Sequence, residues 1–298
     1  MKSIALTWTF LTKVSIGNPN ASFTEGNVQT CKKVTAPDGK EYAYISSQCQ
    51  RHHMRERLQE MGYPLSTPVD ADVETTVADP VEFIDDDIFG YLVATPNETR
   101  KRTSPLRVAP LISLFPFRGD RDLLTKTRRA TARGGNVVET EIYSTIMRGG
   151  GMLELDRIGE FPTVEIAKDS ASNIPADMKS ERARAVLESL RLLWGGGKQT
   201  NLLADISPKY IVFTLQNAKI PFILETLKVD PKNTSIDTGL LRNALGNYSD
   251  IVEKVVIGTT DHFTAVNEVA AFPDNAIVLP LREAFTNVQQ TIQELYQG

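Results

Sequence analysis

The sequence is poor in the residues from which most catalytic sites are built. Two cysteines, Cys31 and Cys49, and three histidines, His52, His53 and His262, are all it holds in 298 residues. The cysteines form no close pair, which excludes a Cys-x-x-Cys zinc framework and leads us to expect a reducing, cytoplasmic setting. Neither an HExxH nor a GxSxG arrangement occurs. Adjacent histidines point ~100° apart on a helix, which argues against one metal face shared by His52 and His53. No run approaches the apolar length needed to cross a membrane, and the opening MKSIALTWTF breaks its apolar residues with threonines. Neither a signal peptide nor a membrane partner is expected.

Charge is the next scarcity, because it is missing locally. The net charge is only -4, yet Leu65 to Thr99 contains no Lys or Arg and nine acids. The following stretch, Arg100 to Arg133, carries ten Lys or Arg against Asp120 and Asp122. Arg100, Lys101, Arg102 and Arg107 precede an apolar run, and Arg118, Arg121, Lys126, Arg128, Arg129 and Arg133 follow it. Bracketing of this kind suits a surface that faces a polyanion. Asp85, Asp86 and Asp87 are a candidate metal cluster, but within an acidic, proline-containing stretch a solvated loop or helix cap is the simpler expectation.

Alternation of Ile4, Leu6, Trp8 and Phe10 with small polar residues, continuing through Val14 and Ile16, predicts a first strand. SIGNPNASFTEGN reads as turn chemistry, and TAPDGKEYAYI as a hairpin around Pro-Asp-Gly. Ser47 and Gln50 have capping-box spacing and open a helix through Met61, stopped by Gly62-Tyr63-Pro64. The acidic segment reads as an insertion rather than core. LRVAPLISLF and NVVETEIYSTIM are further strands, the first irregular at Pro110. A helix from Ser180 to Trp194 and a strand from Lys209 to Gln216 complete the order β, α, insertion, β, β, α, β, which is the α+β, ferredoxin-like order of RNA-recognition domains. FILETLKVD, a helix in IDTGLLRNALGNY, a strand in IVEKVVIGT and a last helix from Leu281 extend it.

LLWGGGKQTN sits between the second helix and the strand after it. A P-loop needs Gly-Lys followed at once by Ser or Thr, and runs from strand to helix. Here Gln199 follows Lys198, and the order is helix, loop, strand. One glycine would stop the helix; Gly195, Gly196 and Gly197 together suggest close approach by another backbone, and Lys198 favours an anionic one. On the first helix Gln48, Arg51 and Arg55 share a face with His52 beside it, a line of donors that is otherwise a solvated face relieved by Glu56 and Glu60. A groove of arginines, an amide and glycine-exposed backbone suits a sugar-phosphate chain. Trp8 and Phe10 could stack on bases, but on an alternating strand they read as core.

Strand one, GNPNASFTEGN, the ISSQCQRHHMRERL helix, RTSPLRVAPLISL and GGGKQTN, in that order, resemble the backbone subunit of CRISPR Cascade-type complexes. More narrowly they are similar to the DevR-type, subtype I-B branch of the RAMP superfamily, over most of the chain. The resemblance implies an RNA-recognition-like palm (1–64 and 109–298), an acidic finger with a basic end (65–108) and a thumb loop (118–136). It implies crRNA, further copies of the chain, other Cascade subunits and, through guide pairing, target DNA as partners. Asn18, Asn20, Gln48, Arg51, His52, Arg55 and Gly195 to Gln199 would then contact guide phosphates, and Arg128 and Arg129 the guide or the next copy. The His52-His53 pair with Cys49 departs from the blander helix expected. Type III relatives cut RNA with an aspartate after strand one; no Asp stands between Asn18 and Lys33, so we expect no nuclease activity, no cofactor and no metal.

Two other classes stay open. A guide-precursor endoribonuclease of the same superfamily would use His52, His53 and Lys198 in metal-free acid-base cleavage. A nucleotide hydrolase would lose turnover when Lys198 is replaced.

Overall fold

A computed structural model describes residues 4–66, 76–94, 99–126, 136–195, 202–230, 232, 234–263, 273 and 276–298, with only the backbone for 124–126 and 136–138. The chain begins with β1 (Ala5–Gly17), β2 (Ala21–Glu25), β3 (Val28–Cys31), β4 (Lys33–Thr35), β5 (Glu41–Ile45) and α1 (Ser47–Glu60). It continues through α2 (Ile84–Phe89), β6 (Tyr91–Ala94), β7 (Thr99–Arg102), β8 (Leu106–Ser113), β9 (Gly119–Lys126) and β10 (Asn136–Glu154). Then come α3 (Ala176–Arg191), β11 (Tyr210–Gln216), β12 (Lys228–Val229), β13 (Ile236–Asp237), α4 (Gly239–Asn247), β14 (Val252–Thr259), β15 (Ala276–Pro280) and α5 (Leu281–Gln297).

The main sheet runs β15-β14-β11-β1-β10-β8-β5-β4. Its middle four strands, β11-β1-β10-β8, are all antiparallel, while β14 and β15 pair in parallel. This is a mixed α+β architecture. No helix among the described residues is long and apolar enough to cross a membrane.

The period-two pattern of β1 explains the layering. Leu6, Trp8, Phe10 and Val14 point to the helical side, where they join Met54 and Leu58 of α1, Val186, Leu187 and Leu190 of α3, and Phe285, Val288 and Ile292 of α5. Burying each large apolar side chain contributes about 1.5–3 kcal/mol, and Phe213 and Phe285 add an edge-to-face contact at 5.1 Å. Trp8 and Phe10 are each 1% exposed, so the core reading holds and neither presents a ring to solvent. On the other face Leu11 and Val212 meet Ile223, Leu227, Leu241 and Leu245. Helices therefore cover one face of the sheet, and the segment after β11 covers the other.

The centre of the sheet depends on three consecutive glycines in β10. Gly149, Gly150 and Gly151 stand opposite Phe10, Thr9 and Trp8. A Cβ on Gly151 would lie 2.5 Å from Cζ2 of Trp8 and 2.6 Å from the Arg107 carbonyl, so the indole occupies the space a side chain would fill. Pro110 falls where the β8–β10 register slips between Arg148 and Gly150, as its missing N–H requires.

Several elements differ from their sequence expectation. The turn-rich SIGNPNASFTEGN holds β2 and the turn of a hairpin whose second strand, β3, follows it, with Gly26 at φ 63° in the turn. Ser46, not Ser47, caps α1 by accepting from the Cys49 N–H at 3.2 Å. Gln50 turns inward to the carbonyl of Ala109 at 2.9 Å. α3 begins at Ala176, after Pro175 in extended conformation, and releases Leu192 to Trp194. β9 and β10 pair from Gly119–Tyr143 to Lys126–Asn136, and the tip of that arm, 127–135, lies outside the described residues.

The three consecutive aspartates are buried rather than solvated. They lie in the first turn of α2, with Asp85 and Asp86 2% exposed and Asp87 0%. Asp87 pairs with Arg102 at 2.5 Å and Arg182 at 2.8 Å, and also accepts from the Gly159 N–H at 3.0 Å. Ile84, Ile88 and Phe89 of the same helix enter the main core.

Burial pushes the Cys31 thiol up to about 12, helped by Glu141, and the Cys49 thiol up to about 11. The thiolate is the reactive form. Iodoacetamide at pH 8 should therefore leave both unlabelled in the folded protein and alkylate both in denaturant, as mass spectrometry will read.

Candidate nucleic-acid interface

The sheet edge beside β1 gathers segments distant in sequence. The β1–β10 register shifts between Val14 and Gly17, which still pairs with Tyr143, and the chain then turns toward α1. Asn20 Oδ1 accepts from the Ser46 N–H at 2.8 Å, which ties the turn to the cap of α1. The Cys49 thiol donates to the Pro19 carbonyl at 3.6 Å. Asn18 is 3% exposed, and neither its amide nitrogen nor its oxygen has a partner among the described residues. A buried amide normally has one.

The flanks of the glycine segment reach the same place. A Cβ on Gly17 would touch Leu202 and Ala204, and the Gly195 N–H donates to the Ala204 carbonyl at 3.2 Å. Trp194 bridges Asp205 across the segment. Gly195 has φ +125°, and a Cβ there would stand 2.6 Å from Nδ1, 2.7 Å from Cε1 and 3.1 Å from Cγ of His53. Those near-equal distances put it over the imidazole face. Glycine is thus required twice, by conformation and by packing. A groove of 520 Å³, bordered by Leu192, Trp194, Leu203 and Ser207, opens beside it. Gly196, Gly197, Lys198 and Gln199 lie outside the described residues, as do Arg128 and Arg129.

The predicted donor line on α1 divides in two. Gln48 and His52 are exposed, at a helix start with no acidic residue in its first turn, where N–H groups favour anions. Arg51 instead donates to the carbonyls of Phe89, at 2.6 Å, and Leu106, at 3.2 Å, and to the Ser104 hydroxyl. Arg55 lies 4.4 Å over the Phe89 ring and 3.9 Å from Asp85. Both arginines tie α1 to α2. Burial, then Arg55, lowers Arg51 to about 10, and burial also lowers Arg55 against the pull of Asp85 and Asp86. Burial holds His53 below the usual imidazole range although Glu56 opposes it.

Two neighbours escaped the sequence reading. Arg57, 5% exposed, stacks 4.7 Å over Trp194, and its Nε and Nη1 have no partner among the described residues. Glu56 touches both histidines, His53 Nδ1 at 2.6 Å and His52 Nε2 at 3.8 Å. Helical spacing could have revealed Glu56; the Trp194 stack is a tertiary contact with no local signal.

With this geometry in view, the fold is one shared with chains of CRISPR RNA-guided surveillance complexes. A chain of a "CRISPR RNA-guided surveillance complex" superposes with a TM-score of 0.60 at 14% identity, covering 96% of this chain and 99% of that one. A second, from a "CRISPR RNA-guided surveillance complex, pre-nicking", gives 0.60 and 14% over 97% and 100%. At such identity the likeness is one of fold. The family described as "CRISPR-associated negative auto-regulator DevR/Csa2" matches residues 75–232, more than half the chain, and this protein belongs to that family. No curated protein matches the sequence.

Proposed function

We propose that the chain is a non-catalytic, guide-RNA-binding backbone subunit of a type I Cascade complex, of subtype I-B, in which copies line up along the crRNA. The observation that carries this reading is the convergence of Asn18 and Asn20, the start of α1 with Gln48 and His52, and Gly195 at one rim of the sheet. A buried, unpartnered amide beside main-chain N–H groups and a glycine segment ending in Lys198 is chemistry for a sugar-phosphate chain, bound without base reading. We read β1, α1, β8, β10, α3 and β11, with sheet order β11-β1-β10-β8, as a ferredoxin-like, RNA-recognition-type palm. Because both faces of that sheet are covered, the rim, rather than stacking aromatics, is the contact surface. Other Cascade subunits and target DNA paired to the guide are the partners of this reading.

Expressing the chain with a guide array and sizing the copurified nucleic acid tests it. Protected RNA of guide length in a large particle is expected. A nucleic-acid-free monomer without affinity for single-stranded RNA at low salt would overturn it. Lys198→Ala should weaken RNA binding and reduce the salt slope by about one unit.

The His53–Glu56 pair at 2.6 Å favours one second reading, metal-free processing of repeat RNA. Cleavage of repeat RNA in EDTA that His53→Gln abolishes would establish it over the backbone role.

A further inference from the structure

Three ligand atoms from one stretch of α1 converge beside the glycine segment. One ring nitrogen from each of His52 and His53 and one Glu56 carboxylate oxygen all lie within 4.8 Å of one another. His52 and His53 by themselves diverge by ~100° on the helix, and Glu56 supplies a third ligand atom. On a helical wheel Glu56 falls between them, ~40° from His52 and ~60° from His53. His52 reaches round with its distal nitrogen while His53 uses its near one, so the ~100° between them is spanned by different ring atoms.

We propose that His52, His53 and Glu56 bind one divalent transition-metal ion of the zinc class, with the remaining position open to water or an anionic oxygen. Two imidazoles and one carboxylate with an open fourth site is a zinc ligand set, and bonds of about 2.0–2.1 Å place ligand atoms roughly 3.3 Å apart in tetrahedral geometry. The Glu56 oxygens lie 3.8 Å from His52 Nε2 and 2.6 Å from His53 Nδ1, separations that straddle that value. His52, with a side chain 52% exposed, is free to turn and close the longer one. Its exposure also provides the entry path.

The surroundings fix the chemistry further. Gly195 packs across the face of the His53 ring, which fixes the orientation of the imidazole. Coordination through Nδ1 displaces the hydrogen bond to Glu56 and selects the tautomer protonated at Nε2, so the ring proton is relocated rather than lost. Arg57, whose Nη2 is 3.9 Å from Glu56, is the one cation at the site among the described residues. None of this depends on RNA binding.

Titration of chelator-treated, full-length protein with zinc sulfate tests the proposal calorimetrically, alongside cobalt(II) titration read by visible absorption. One zinc per chain and a tetrahedral cobalt spectrum are expected. His52→Ala and Glu56→Gln should each weaken zinc binding by at least about tenfold, with thermal melts matching the parent. His262→Ala, an exposed histidine on another part of the fold, should bind as the parent does. Equal affinity in the parent, His52→Ala and Glu56→Gln would overturn the proposal, as would no binding at about 100 μM metal, equivalent to less than ~5.5 kcal/mol.

Discussion

Replacing Arg102 by methionine should destabilise the protein by about 3–5 kcal/mol, measured as a lower urea midpoint with an unchanged slope. Its guanidinium is fully buried, as is Asp87, its partner at 2.5 Å. It also pairs with Glu165 at 2.6 Å and donates to the carbonyls of Asp87, Arg157 and Glu160. Methionine fills similar volume, so the loss comes from charges left without their partner. Arg182 still faces Asp87 and Arg157 still reaches Glu165 Oε1, but Glu165 Oε2 and the three carbonyls lose the Arg102 donor, and each stranded group costs its desolvation. Arg121, paired with Glu139 at 3.1 Å but 60% exposed, is the internal contrast. Its change to alanine should shift stability by no more than about 0.5 kcal/mol. Equal effects at the two positions would show that the buried network contributes nothing beyond surface pairing.

Gly151→Val should cost about 3 kcal/mol or prevent folding. The added carbons need space held by the Trp8 indole and the Arg107 carbonyl, 2.5 and 2.6 Å from the new Cβ. The indole can shift only by disturbing the main core, and the carbonyl belongs to the β8–β10 ladder. Gly246, in α4, meets nothing within 4 Å, and Gly246→Ala should stabilise by up to about 1 kcal/mol. Thermal melts of the two variants should move in opposite directions. A Gly151→Val protein as stable as its parent would mean that the close approach of β1 and β10 is not needed.

These two predictions rest on features of different legibility. Strand β1, helix α1, the Pro-Asp-Gly hairpin, β11 and α5 were readable because each carries a local period or stop signal. The glycines at 149–151 also stood in plain view, but their meaning depends on Trp8, across the sheet and far away in sequence. Asp87 read as solvated for the same reason: an acidic neighbourhood suggests water, and Arg182, which neutralises it, is supplied by a helix 95 residues away. β2 and β3 were hidden because each is short, and the turn residues Gly17 to Asn20 and Gly26-Asn27 flank β2 on both sides. At the candidate interface, the sequence placed Asn20, the α1 start and the glycine loop on one edge. It could not separate exposed Gln48 and His52 from Arg51 and Arg55, which face α2.

The Asp87 cluster also bears on how the chain opens. One carboxylate holds arginines from β7 and α3, and the same short helix sends Ile84, Ile88 and Phe89 into the central core. Opening α2 alone would strand three charges and expose three large apolar side chains at once. Amide protons of α2 therefore exchange only through the global unfolding that frees β1 and α3, which makes α2 part of the same cooperative unit.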